Sequence, residues 1–124
     1  MRASSPHEQN ETPKEFLDDL ENNINKNLRS YGRRWNFLCP LQPNSFNKMP
    51  DVIGSVDCFV KRFSPERTRI LFLNPDRHST FMASAVLTAY VDRLRLISSV
   101  EVASLDARDR EANGLFLADF FDFT

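Results

Sequence analysis

Cysteine and glycine are both scarce in this sequence of 124 residues, and their scarcity excludes several kinds of site. Only Cys39 and Cys58 are present, and two thiols alone cannot form a four-ligand zinc site or a disulfide-dense scaffold. The three glycines, at 32, 54 and 114, are isolated from one another, so neither a phosphate-binding P-loop nor a dinucleotide-binding glycine run can form. We therefore expect reduced thiols and no nucleotide, metal or other cofactor.

The chain also lacks a long apolar run and an excess of either charge. No apolar segment approaches the roughly 18 residues that a membrane-spanning helix needs, and 16 basic against 17 acidic residues leave a net charge of −1. The polar residues 1–11 have neither the apolar segment of a secretory signal nor the composition of a transit peptide. The sequence therefore predicts a globular protein of the cytoplasm or the nucleus that does not enter a membrane.

A helix is predicted near the N-terminus, after a disordered leader over residues 1–11 that has no apolar periodicity. Thr12, Pro13 and Glu15 occupy the cap, first and third positions of a typical helix start. We expect the helix to end between residues 30 and 32. Its apolar positions recur every four residues, at Phe16, Leu20, Ile24 and Leu28.

The segment 33–54 combines prolines with aromatic and aliphatic residues. Pro40, Pro43 and Pro50 permit neither a long helix nor a central strand. Because Trp35 and Phe37 make the segment too apolar for a plain linker, we expect an ordered, irregular stretch that covers the core or forms part of a partner surface.

The remaining pattern predicts an α+β fold. Apolar runs over 56–63 and 68–73, joined by a turn that contains Pro65, indicate a β-hairpin. A long helix is predicted from Ser79 or Thr80 to about residue 97, and strands over 100–105 and 114–120. The order α-β-β-α-β-β predicts one domain over 12–124, a two-layer sandwich of a small antiparallel sheet with an N-terminal helix and a long central helix.

No grouping of residue types indicates catalysis. Neither His7 nor His78 has a His or Cys at metal-ligand spacing, and Cys58 lies in an apolar run, where cysteine is typically a small buried side chain. The segment 69–87 resembles the strand, phosphate loop and helix of low-molecular-weight tyrosine phosphatases, but Asn74 stands where those enzymes carry the nucleophilic cysteine. We therefore expect a protein that is not an enzyme.

The distribution of phenylalanine favours protein–protein interaction. Four of the 11 Phe lie among the last nine residues, and because burying each contributes about 1.5–3 kcal/mol, such an end is costly to expose. Our first hypothesis is a non-catalytic interaction subunit or adaptor of a larger complex, formed with a second copy or with other proteins. The candidate contact residues are Phe16, Leu20, Ile24, Leu28, Trp35, Phe37, Phe120, Phe121 and Phe123.

A basic and aromatic segment, residues 26–37, supports an alternative. It contains four cations and two aromatic residues between 26 and 35, with no acid, and such side chains contact phosphates and stack on bases. The alternative is an RNA- or single-stranded-DNA-binding module, although an acidic protein surface would suit the same cations. The candidate residues are Lys26, Arg29, Tyr31, Arg33, Arg34 and Trp35.

Overall fold

The computed structural model of the chain describes residues 2, 4–31, 35–76 and 78–122, with the backbone alone at 28–31. By its contacts the chain divides into a first unit, Met1–Ser64, and a second unit, Pro65–Thr124. The elements are α1 (Pro13–Tyr31), α2 (Val52–Phe63), β1 (Thr68–Asn74), α3 (Ser84–Arg95), β2 (Val100–Asp106) and α4 (Arg110–Phe120). None of the described helices has the length and apolar character of a membrane span.

Helix α1 begins where the sequence predicts. The Thr12 hydroxyl accepts the backbone N–H of Glu15 at 3.1 Å and donates to the Glu15 carboxylate at 3.0 Å, so both ends of the predicted cap are used. Phe16 and Leu17 are buried with Met49 in the apolar cluster of the first unit. The side chains packed against this cluster are those of Phe37, Cys39, Cys58, Phe59 and Phe63.

The predicted hairpin between 56–63 and 68–73 is wrong, because its first half is helix α2. Asp51 caps this helix by accepting the N–H of Gly54 at 2.9 Å, and Ser64 ends it with a left-handed backbone, φ 43°. The branched and aromatic content favoured a strand, but helical spacing of the apolar residues decides the outcome. These residues, buried or half-buried, are Val52, Val56, Phe59 and Phe63.

The polar segment before α1, expected to be a disordered leader, packs within the first unit. His7 is fully buried, its Nε2 donates to the carbonyl of Pro50 at 2.8 Å, and its own carbonyl accepts the Asn47 side-chain amide at 2.9 Å. Hydrogen bonds to residues 40 and 43 positions away along the chain thus hold this segment in place, although it has no apolar periodicity. Within the segment predicted to be irregular at 33–54, residues 35–51 have no helix or strand beyond an isolated bridge, and 33 and 34 lie outside the described residues.

The second unit is a β-α-β unit followed by a helix, so the fold mixes helices with a sheet, as predicted. The predicted antiparallel pairing is wrong: β1 and β2 are parallel, in register from Thr68 beside Val100 to Asn74 beside Asp106. The helix between the strands supplies the crossover that parallel pairing requires. Leu94 of α3 is fully buried, and the rings of Phe72 and Tyr90 stack at 6.2 Å, which packs α3 on one face of the sheet.

Two further boundaries differ from the predictions. The long central helix begins at Ser84 rather than at residue 79 or 80, because side chains hold the preceding loop: Asp76 accepts the N–H of His78 at 2.8 Å and of Thr80 at 2.9 Å. The strand predicted over 114–120 is helix α4, which Asp109 caps by accepting the N–H of Ala112 at 3.1 Å. The strand predicted over 100–105 agrees with β2.

Candidate interaction surfaces

Helix α4 presents large apolar side chains to solvent. Leu115 is 80% exposed and Phe116 39% exposed. The Phe116 ring stacks on Phe120 at 5.7 Å, and Phe120 meets Phe121 edge to face at 4.9 Å. We call these four residues, the exposed leucine and the three rings in contact, the α4 ridge. Phe120 and Phe121 are half-buried, whereas Leu115 and Phe116 are exposed. The ridge therefore offers a partner mainly the side chains of Leu115 and Phe116.

Ion pairs fix the end of α4 over the sheet. Arg69 of β1 bonds the Asp122 carboxylate at 2.6 Å, and its guanidinium lies 3.5 Å from Glu101 of β2. The hydrogen bond to Asp122 raises the pKa of Arg69, and the hydrogen bond from Arg67 lowers the pKa of Glu101. Because Arg69 and Phe72 point to opposite sides of the strand, the ion pair with Asp122 lies on the face opposite to the one on which α3 packs.

The outer edge of β1 is a second apolar surface. Residues 70–73 are four consecutive apolar residues, a composition typical of a strand buried on both faces between neighbouring strands. Among the described residues, however, β1 pairs with β2 alone, and Leu73 is 57% exposed. In contrast, polar residues interrupt β2 at Glu101 and Ser104.

The carboxyl ends of the two strands, where open α/β sheets often bind ligands, are occupied by internal contacts. Asn74 accepts the N–H of Met82 at 2.9 Å. Arg108 hydrogen-bonds the Asp106 carboxylate and lowers the pKa of Asp106 to about 2, and its guanidinium lies over the Phe81 ring at 5.0 Å. Within the described parts of the chain, no group of three His, Cys, Asp or Glu could hold a metal ion.

The predicted α1 stripe lies largely in the interior of the first unit. Phe16 and Leu20 are 4% and 6% exposed and Ile24 is half-buried, while the Leu28 side chain lies outside the described residues. Phe37 packs between Phe16 and Phe59, at 6.2 Å from each ring. An open groove of about 790 Å³ runs along this helix; its lining includes the amides of Asn23, Asn27 and Asn36.

The basic and aromatic segment is described only in part. Lys26 is exposed. Trp35 is half-buried, with its ring edge to face against Phe59 at 6.5 Å and Phe63 at 5.7 Å. The side chains of Arg29 and Tyr31, and the residues Arg33, Arg34 and Phe123, lie outside the described residues.

Sequence reasoning missed the two most exposed members of the surfaces described above, Leu73 and Leu115. The signal for α4 was present in Asp109, a cap residue followed by Phe116 and Phe120 at helical spacing. The signal for the β1 edge was the uninterrupted apolar run at 70–73, since such runs belong to strands with neighbours on both sides.

Comparison with models of protein families, with curated proteins and with solved structures found no match to this chain in any of the three.

Proposed function

We propose that the protein is a non-catalytic protein–protein interaction module that docks through the α4 ridge onto an apolar groove of another protein. The observation that carries this proposal is the exposure of Leu115, 80% of whose surface is open beside the partly exposed ring of Phe116. Helices that dock in grooves insert anchors at spacings such as i and i+4, which is the spacing of Phe116 and Phe120. Burying a leucine or phenylalanine on binding contributes about 1.5–3 kcal/mol each.

Charge around the ridge defines the partner further. The acidic residues Glu111 and Asp119 flank it beside one base, Arg110, and the Asp122 carboxylate is paired with Arg69. A complementary groove would therefore be apolar at its floor and rimmed by lysine or arginine, because opposite charges at an interface rim speed association and orient the partner.

The apolar residues of the first unit are weaker candidates for the docking surface than the α4 ridge. Phe16 and Leu20 are only 4% and 6% exposed, so although both line the groove along α1 they offer a partner little free surface. Nor do the described residues favour the nucleic-acid alternative, since the Trp35 ring, which would stack on a base, already packs against Phe59 and Phe63. Binding of single-stranded RNA would lose affinity steeply with salt, whereas binding by the α4 ridge would lose much less, and only through slower association.

The proposal is tested by placing the photo-reactive amino acid benzoylphenylalanine at position 115 of the full chain. The matched control places it at Thr88, an exposed position on α3 of the same unit. In cell extract we expect one protein to be cross-linked from position 115 and not from position 88. Equal cross-linking from the two positions would overturn the proposal.

Affinity provides the quantitative test once that protein is purified. Leu115→Asp should weaken binding about tenfold or more, because the lost burial corresponds to at least one factor of ten in Kd. Thr88→Asp should leave the Kd unchanged. Circular dichroism of both variants checks that the helices are retained, and an unchanged Kd for folded Leu115→Asp would contradict docking through the ridge.

A further inference from the structure

The outer edge of β1 carries backbone groups in a regular alternation. The N–H of Thr68 donates to the carbonyl of Ser99 at 2.9 Å, and the carbonyl of Asn74 accepts the N–H of Ala107 at 3.1 Å. The even-numbered residues of β1 therefore direct their N–H and C=O groups toward β2. Because these groups alternate in direction along a strand, the odd-numbered residues 69, 71 and 73 direct theirs away from it.

We propose that this edge pairs antiparallel with β1 of a second copy of the chain, about a two-fold axis at Leu71. In this register Leu71 faces its own counterpart, and Arg69 faces Leu73 of the other copy. All three outward-directed residues then lie in hydrogen-bonded pairs, which gives about six backbone hydrogen bonds across the axis. A two-fold arrangement also makes the contact self-limiting, since each edge is used once.

The side chains suit this occupant. In this register Ile70 faces Phe72 and Leu71 faces its own counterpart, so apolar side chains lie against apolar side chains at these pairs. Arg69, the one charged residue of β1, faces a leucine rather than another arginine, and its charge is already paired with Asp122 and Glu101. No like charges therefore meet across the edge, and the two-stranded sheet becomes a four-stranded sheet with β1 in its interior, as the composition of β1 favours.

A pair of substitutions at Leu73 tests the register. In the background of Asp122→Asn, which removes the carboxylate nearest to Arg69, Leu73→Lys would place a like charge opposite Arg69 twice in each dimer, and Leu73→Glu would place an opposite charge there. We expect the wild-type chain to have twice the 14.4 kDa chain mass in light scattering and sedimentation. Leu73→Lys should weaken dimerisation about tenfold relative to Leu73→Glu, because the charge pair contributes on both sides of the axis.

Amide hydrogen exchange supplies a readout at the backbone itself. In the dimer the N–H groups of Arg69, Leu71 and Leu73 should be protected, and dilution should remove their protection while that of Ile70 and Phe72 remains. A monomeric wild-type chain at 100 µM, or equal weakening by the two charged substitutions, would overturn the proposal. The two proposals fail separately, because Leu115→Asp leaves the β1 edge intact and Leu73→Lys leaves the α4 ridge intact.

Discussion

At the scale of single residues, Cys39 shows how the fold changes chemistry. Burial raises its pKa to about 11, so at pH 8 its thiolate fraction is roughly a hundredfold below that of an exposed thiol. We expect iodoacetamide to alkylate Cys39 slowly in the native protein and rapidly in urea, measured by peptide mass spectrometry on the Cys58→Ala variant. Equal rates in the two conditions would show that the thiol is accessible and ionises normally.

Asp106 shows the opposite shift. The hydrogen bond from Arg108 lowers the pKa of Asp106 to about 2, so the pair is intact above the ordinary carboxyl range near pH 4 and is lost as the pH falls toward 2. A carboxyl ¹³C NMR titration should give a midpoint near 2 in the wild type and a higher midpoint in Arg108→Gln, still below the ordinary carboxyl value because the backbone N–H of residue 108 continues to donate to Asp106. Arg110→Gln, which alters a neighbouring arginine outside the pair, should leave the midpoint unchanged; a shift in both variants would point to general charge effects instead.

At the scale of elements, two helical glycines form a matched pair. A Cβ at Gly54 of α2 would lie 2.8 Å from the Cβ of Pro50, whereas a Cβ at Gly114 of α4 would meet no atom within 4 Å. Gly54→Ala should therefore lower the free energy of unfolding, by about 1–3 kcal/mol. Gly114→Ala should raise it by about 0.5–1 kcal/mol, because alanine favours the helix. Urea denaturation measures both, and changes of the same sign would contradict this assignment of space around the two residues.

The elements also show what the sequence could reveal. The start of α1 was predictable because its cap is local: Thr12, Pro13 and Glu15 are neighbours in the chain. Helix α2 was not, because its branched and aromatic side chains favour a strand locally while their helical spacing serves packing against α1. The parallel pairing of β1 with β2 depends on the helical crossover between them. The predicted hairpin partner of β1, residues 56–63, is helical, so β1 pairs with β2 instead.

For the candidate surfaces, the sequence showed which segments are apolar but not which of their side chains are exposed. The phenylalanine-rich end was identified as apolar from composition, but which side chains are exposed depends on α4 being a helix, since a strand would have placed Phe116 and Phe120 on one face with Ala118. The burial of Phe16 and Leu20 was equally out of reach, because an amphipathic stripe has the same spacing whether it covers its own interior or a partner.

At the scale of the whole molecule, the second unit has two separate surfaces. The α4 ridge would contact a partner through side chains, and the outer edge of β1 would do so through backbone N–H and C=O groups. Their different chemistry should separate them in solution. Association through the edge should resist salt, because about six backbone hydrogen bonds and apolar contacts hold it, whereas the association rate of a basic-rimmed partner with the ridge should fall as salt rises.

The parallel register of β1 and β2 also determines how the second unit responds to tension. The chain enters β1 at Thr68 and leaves β2 at Asp106, at opposite ends of the two-stranded sheet. A pull applied at Thr68 and at Asp106 would therefore slide one strand along the other and load every ladder hydrogen bond at once. A hairpin pulled from its two open ends would instead break one bond at a time, so the β-α-β arrangement makes the sheet stiff between these two points.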